Sequence, residues 1–139
     1  MNLWSDRNKS WDSITIEERA AAGRYRAECH NKALIGREST FAENISIFDS
    51  FLRLCHEKNI KVYMCVFPGT KEYMRYLNES FRKNFFSVIE CYKKKGVEVR
   101  VIDLNEVIEF ETSDFNDTDH LNDRGALKAT KIINSIIMS

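Results

Sequence analysis

The sequence predicts an α/β fold with a parallel sheet of few strands. Three observations predict it: apolar residues recurring at helical spacing alternate along the chain with two short β-branched runs, the strand-to-helix turns carry capping residues, and the order is helix, strand, helix, strand, helix. Right-handed crossovers between parallel strands follow from that order. The 139 residues suit one compact core, and the division expected is an amino-terminal arm and helix over 1–43 followed by an α/β portion over 44–139.

Residues 1–14 lack a period and hold Trp4 and Trp11, so they read as an irregular arm docking by its indoles. Thr15 and Glu18 form a capping-box pattern that opens a helix from Ile16 to about Lys32, with a thin face of Ile16, Ala20, Gly23 and Ala27. Ala33-Leu34-Ile35 is a short candidate strand. Thr40 and Glu43 suggest a second capping box, opening a helix with a core stripe of Ile45, Phe48, Leu52 and Cys55, widened by Ile47, Phe51 and Leu54. Asn59 suits the left-handed position that ends it.

The run I-K-V-Y-M-C-V-F-P is apolar on both faces, as an interior parallel strand covered on both sides would be. Pro68 and Gly69 stop it, and Thr70 can cap a helix carrying Met74, Leu77, Phe81, Phe85, Val88 and Tyr92 as far as Gly96. Val97 to Leu104 alternates with Glu98 and Arg100, which suits an edge strand. A last helix is expected from Asp123 to Met138, with Ala126, Ala129, Ile132, Ile133 and Ile136 inward.

Basic and acidic residues balance at 21 each, so no net field draws the chain to nucleic acid or to an anionic membrane. Without an apolar leader or a run near the roughly 18 apolar residues of a membrane span, a cytoplasmic location is expected. Cys29, Cys55, Cys65 and Cys91 are irregularly spaced and read as reduced core fillers. An uncovered edge on the strand Val62 to Phe67 would have to be met by the amino-terminal arm or by a second copy, which makes a homo-oligomer through that edge a candidate.

The chemistry concentrates in F-N-D-T-D-H-L-N-D-R-G, Phe115 to Gly125. Asp117 and His120, three apart, allow a carboxylate to accept from the imidazole Nδ1–H while Nε2 faces outward as a general base. The alternative is that Asp119, Asn122 or Asp123 caps the last helix and His120 is incidental. A calcium loop starting at Asp114 fails because Asp119 stands where glycine is needed and Gly125 where a bidentate glutamate is required. Cys29-His30 and Cys55-His56 lack a further ligand at helical spacing, so no metal and no cofactor is expected.

The block D-F-N-D-T-D-H-L-N-D-R-G-A resembles the carboxyl-terminal motif of the SGNH (GDSL-like) hydrolase superfamily, and K-V-Y-M-C-V-F-P with Tyr73 is similar to its penultimate strand. The resemblance spans roughly Glu43 to Ser139. It implies a partial flavodoxin-like three-layer α/β/α sandwich, ester hydrolysis or acyl transfer on a small molecule or glycan ester, and Asp117 and His120 as two members of a triad. Asn122 and Gly125 would shape the turn into the helix, with Pro68, Gly69 and Thr70 bordering the substrate. No G-D-S motif is present. Ser39 in G-R-E-S is either a nucleophile on a strand-to-helix turn or a helix-start residue, and Asn44 either an oxyanion donor or part of its helix. The other reading is an inactive remnant serving as an interaction module.

Overall fold

The computed structural model describes residues 11–107 and 110–139. Trp4 therefore lies outside the described residues. The elements are a 3-10 turn Trp11–Ser13, α1 (Ile16–Ala33), α2 (Glu38–Glu57), β1 (Val62–Val66), α3 (Lys71–Met74), α4 (Glu79–Lys94), β2 (Val99–Asp103), α5 (Leu104–Val107), a 3-10 turn Thr112–Asp114 and α6 (Asp123–Met138). The fold is mixed α/β, and β1 and β2 pair in parallel as a two-stranded sheet. No described helix is long and apolar enough to cross a membrane.

Several local signals produce the predicted hydrogen bonds. The Thr15 N–H donates to Glu18 Oε2 at 3.0 Å, and the Glu18 N–H donates to Thr15 Oγ1 at 3.2 Å, closing the box that starts α1. Asn59 ends α2 at φ 54°, and Gly96 ends α4 at φ 78°. Thr70 caps α3, its side chain accepting from the Tyr73 N–H. Asn122 caps α6.

Other expectations are corrected. Ala33-Leu34-Ile35 is no strand: Ala33 closes α1, and Leu34 to Gly36 form a turn in which the Ile35 N–H donates to Lys32 O. Its apolar residues mimic a strand, but three residues ending at a left-handed glycine, Gly36 at φ 71°, cannot extend into a ladder. The Thr40 and Glu43 box does not open α2, which begins two residues earlier at Glu38 behind an Arg37 that makes no side-chain cap. Ile47, Phe51 and Leu54 do not widen the core stripe and are exposed. The helix expected from Thr70 to Gly96 is two helices, because Asn78 caps α4 by accepting from the Ser80 N–H, while its own N–H donates to Asn31 Oδ1. β1 is half-buried along its length and has one neighbour among the described strands, so it is not an interior strand. All four cysteines are free thiols; Cys91 is exposed and fills no core.

The chain divides into two compact units whose segments interleave, and α2 runs through residue 43. One unit comprises Asn31–Met64 and Asn78–Val101. Its core is Leu52, Ile89, Tyr92 and Val99, flanked by Phe48, Val62, Met64, Phe85 and Val88. Leu52 and Ile89 are fully enclosed, each contributing about 2 kcal/mol through apolar burial. Phe48 meets Tyr92 edge to face at 5.5 Å, which locks α2 against α4.

The other unit draws its described residues from Met1–His30, Cys65–Leu77 and Ile102–Ser139. Here the small face of α1 has a specific use. A Cβ on Gly23 would lie 2.7 Å from the Glu72 carbonyl carbon, so only glycine lets α1 rest on the backbone of α3, and Arg19 adds an ion pair to Glu72 at 3.5 Å. Trp11 is buried, its backbone N–H donating to Phe115 O at 2.9 Å. This unit carries the polar loop.

Candidate active site

Asn122 anchors the loop. Its Oδ1 accepts from the Gly125 N–H at 3.0 Å, while its Nδ2 donates to Ser113 O at 2.7 Å and to Phe115 O at 3.2 Å. One asparagine thus caps α6 and ties the helix start to the far side of the loop. Phe115 and Leu121 form an antiparallel bridge, and the Asn116 N–H donates to His120 O at 2.9 Å. Residues 116–120 therefore form a closed turn held at both ends.

Within that turn Asp117 Oδ1 accepts from the N–H groups of Asp119 at 3.0 Å and His120 at 2.9 Å. An aspartate bonding its own backbone two and three residues on is a favoured turn device, and here it also sets the carboxylate against the imidazole. His120 Nδ1 lies 2.9 Å from both oxygens of Asp117. A carboxylate can only accept, so Nδ1 carries the hydrogen, and in the neutral ring Nε2 presents a lone pair. The His120 side chain is 61% exposed and that of Asp117 42%, so a reactant can reach the ring.

Asp119 lies on the other flank, 3.7 Å from the same Nδ1. It is held elsewhere: Arg26 Nε of α1 donates to Oδ1 at 3.2 Å and Oδ2 at 3.1 Å, and Thr118 Oγ1 donates to Oδ1 at 2.8 Å. Thr118 is fixed in turn through its carbonyl, which accepts from the N–H and the hydroxyl of Thr70, both at 2.9 Å. Close by, Tyr73 OH and His30 Nδ1 share a hydrogen bond of 2.8 Å. Burial, with the charge of Asp119 adding to it, pushes the Tyr73 phenol above its usual range.

Pro68, Gly69 and Thr70 line a cleft of about 530 Å³ with Glu72, Met74, Asn105, Phe110 and Glu111. Neither Asp117 nor His120 lines this cleft. Its link to the pair is Thr70, which borders the cleft and bonds to Thr118. Gly69 is kept small by Tyr73, whose Cδ1 would meet an added Cβ at 2.7 Å.

Ser39 lies in the first turn of α2, exposed, after a turn instead of a strand. That removes the strand-to-helix geometry its nucleophile reading required. Asn44 is an exposed residue inside α2. Among the described residues no hydroxyl hydrogen-bonds to His120. Asp117, Asp119 and His120 each offer a ligand atom within 4.8 Å of the others.

Nothing in the sequence singles out Arg26; Asp119 reads there as a helix cap and as a misfit in a calcium loop, and His30 only as a neighbour of Cys29. Arg26 and Asp119 stand 93 positions apart, and no spacing rule pairs residues at that distance.

Below the loop Asp114 is fully buried. Its carboxylate meets Lys128 Nζ at 2.9 Å and Arg124 Nε at 3.1 Å, and accepts from the Glu111 N–H at 3.0 Å. Burial pushes this carboxyl up, but the Lys128 hydrogen bond, the Glu111 N–H and the two cationic charges together hold it below its ordinary value. The group therefore stabilises the fold fully above the unfolded carboxylate range, and that contribution is lost as pH falls through the lower folded value. Urea midpoints measured from neutral pH downward should fall steeply below about pH 4, and Asp114→Asn should flatten that acid limb while lowering stability at neutral pH.

One protein-family model matches residues 14–139. The chain belongs to that family. A search of curated proteins and a search of solved structures each found no match.

Proposed function

We propose that this chain carries the base portion of an SGNH-like ester hydrolase or acyltransferase acting on O-acyl groups of a small molecule or glycan. The observation that supports it is the Asp117 carboxylate at 2.9 Å from His120 Nδ1 with the imidazole open to solvent. Nε2 takes the proton from an attacking hydroxyl as its oxygen bonds to the acyl carbon. The imidazolium, stabilised by Asp117, then returns a proton to the departing alkoxide as the ester C–O bond breaks. The hydroxyl is water in hydrolysis and an acceptor alcohol in transfer.

The test is turnover of an activated acetyl ester by the 139-residue chain. His120→Ala should abolish catalysis above buffer, whereas Ser39→Ala and His56→Ala should leave it unchanged. Unchanged turnover in His120→Ala, or none in the parent chain, would overturn the reading. The second reading, an inactive interaction module, draws on the exposed apolar side chains of α2.

A further inference from the structure

We infer that α2 is a self-docking surface, pairing antiparallel with α2 of a second copy of this chain. Ile47, Phe51 and Leu54 are 61%, 48% and 52% exposed. At 100° per residue they fall within an arc of about 60° beside the core row of Phe48, Leu52 and Cys55. Phe51 stacks on Phe48 at 6.4 Å, so its ring is held by a residue packed against the core while about half of its surface stays exposed. The spacing of four and then three is that of a helix–helix seam.

Charge identifies the occupant. In an antiparallel pair related by a two-fold axis, residues level with each other have position numbers of constant sum. Setting Ile47 opposite Leu54 of the second copy sets Leu54 opposite Ile47, brings both Phe51 rings to the axis, and puts Glu43 opposite Lys58 at each end. Glu43 and Lys58 are exposed, and neither makes an ion pair with a described residue. The face therefore complements itself in both shape class and charge. Three apolar side chains per copy make a small interface, so the dimer is weak and reversible.

Sedimentation velocity of the 139-residue chain, from low micromolar to millimolar concentration, tests this. A reversible monomer–dimer equilibrium is expected. Glu43→Lys and Lys58→Glu, each placing like charges together at both ends, should weaken it about tenfold, and Phe51→Glu should abolish it. The double variant Glu43→Lys/Lys58→Glu should restore the parent affinity, which a misfolded single variant could not explain. A monomer throughout the range, or a dimer whose affinity the double variant does not recover from the single ones, would overturn the assignment.

Discussion

Asp117→Asn is expected to lower ester turnover by about 10²- to 10⁴-fold while barely changing stability. The asymmetry follows from where each oxygen is used. Oδ1 accepts from the N–H groups of Asp119 and His120, and an asparagine carbonyl oxygen can keep both bonds, so the turn survives. The amide nitrogen then takes the place of Oδ2, 2.9 Å from His120 Nδ1. It is a donor where the imidazole needs an acceptor. Only Oδ1, already shared by two N–H groups, remains as an acceptor for Nδ1, so the tautomer with its hydrogen on Nε2 gains at the expense of the base, and no negative charge remains to stabilise the imidazolium. Urea unfolding run beside the kinetics separates the two effects, and a comparable fall in both would show that Asp117 is structural.

The largest stability effect is expected at Gly125→Ala. A Cβ at this position would lie 2.1 Å from Asp114 O and 2.9 Å from Leu121 Cδ2. Leu121 can move, but the Asp114 carbonyl cannot, because it accepts from the Asn122 N–H at 3.0 Å and its own side chain is locked between Lys128 and Arg124. The added methyl must push α6 off the loop, breaking the Asn122 cap at the same time. A cost of about 3 kcal/mol or more is expected, which for a chain of this size lowers the melting temperature by roughly 10 °C. Thermal melts of the parent and the variant measure it directly. A shift of a degree or two would mean that the helix does not approach the loop this closely.

These two positions also mark what the sequence could convey. The hydrogen bond between Asp117 and His120 was legible because it is local: a carboxylate that bonds the backbone two and three residues on has few ways to miss a ring three residues on. The same holds for the Thr15 and Glu18 box, the Thr70 cap, the left-handed Asn59 and the start of α6, each a contact spanning three or four residues. Gly125 was legible as a turn residue, but its reason, the carbonyl of Asp114, was not. The Arg26 clamp on Asp119 and the Gly23 contact with Glu72 join segments far apart in sequence, and nothing in the spacing announces them. Misreadings arose where two local signals competed. Ala33-Leu34-Ile35 has strand composition but ends at a left-handed glycine, and Thr40 with Glu43 matches a capping box inside a helix already begun. The helix expected from Thr70 to Gly96 runs across Asn78 because the apolar period spans that residue unbroken and hides its cap.

The central claim is that Asp117 leaves His120 with a free lone pair on Nε2. Two-bond ¹⁵N–¹H correlation spectra of the imidazole rings at neutral to mildly alkaline pH test it most directly. The neutral ring of His120 should be protonated on Nδ1, with Nε2 giving the shift of an unprotonated nitrogen, and should change to the Nε2–H form in Asp117→Asn. A His120 ring found protonated on Nε2 in the parent chain, or unchanged by the substitution, would contradict the account.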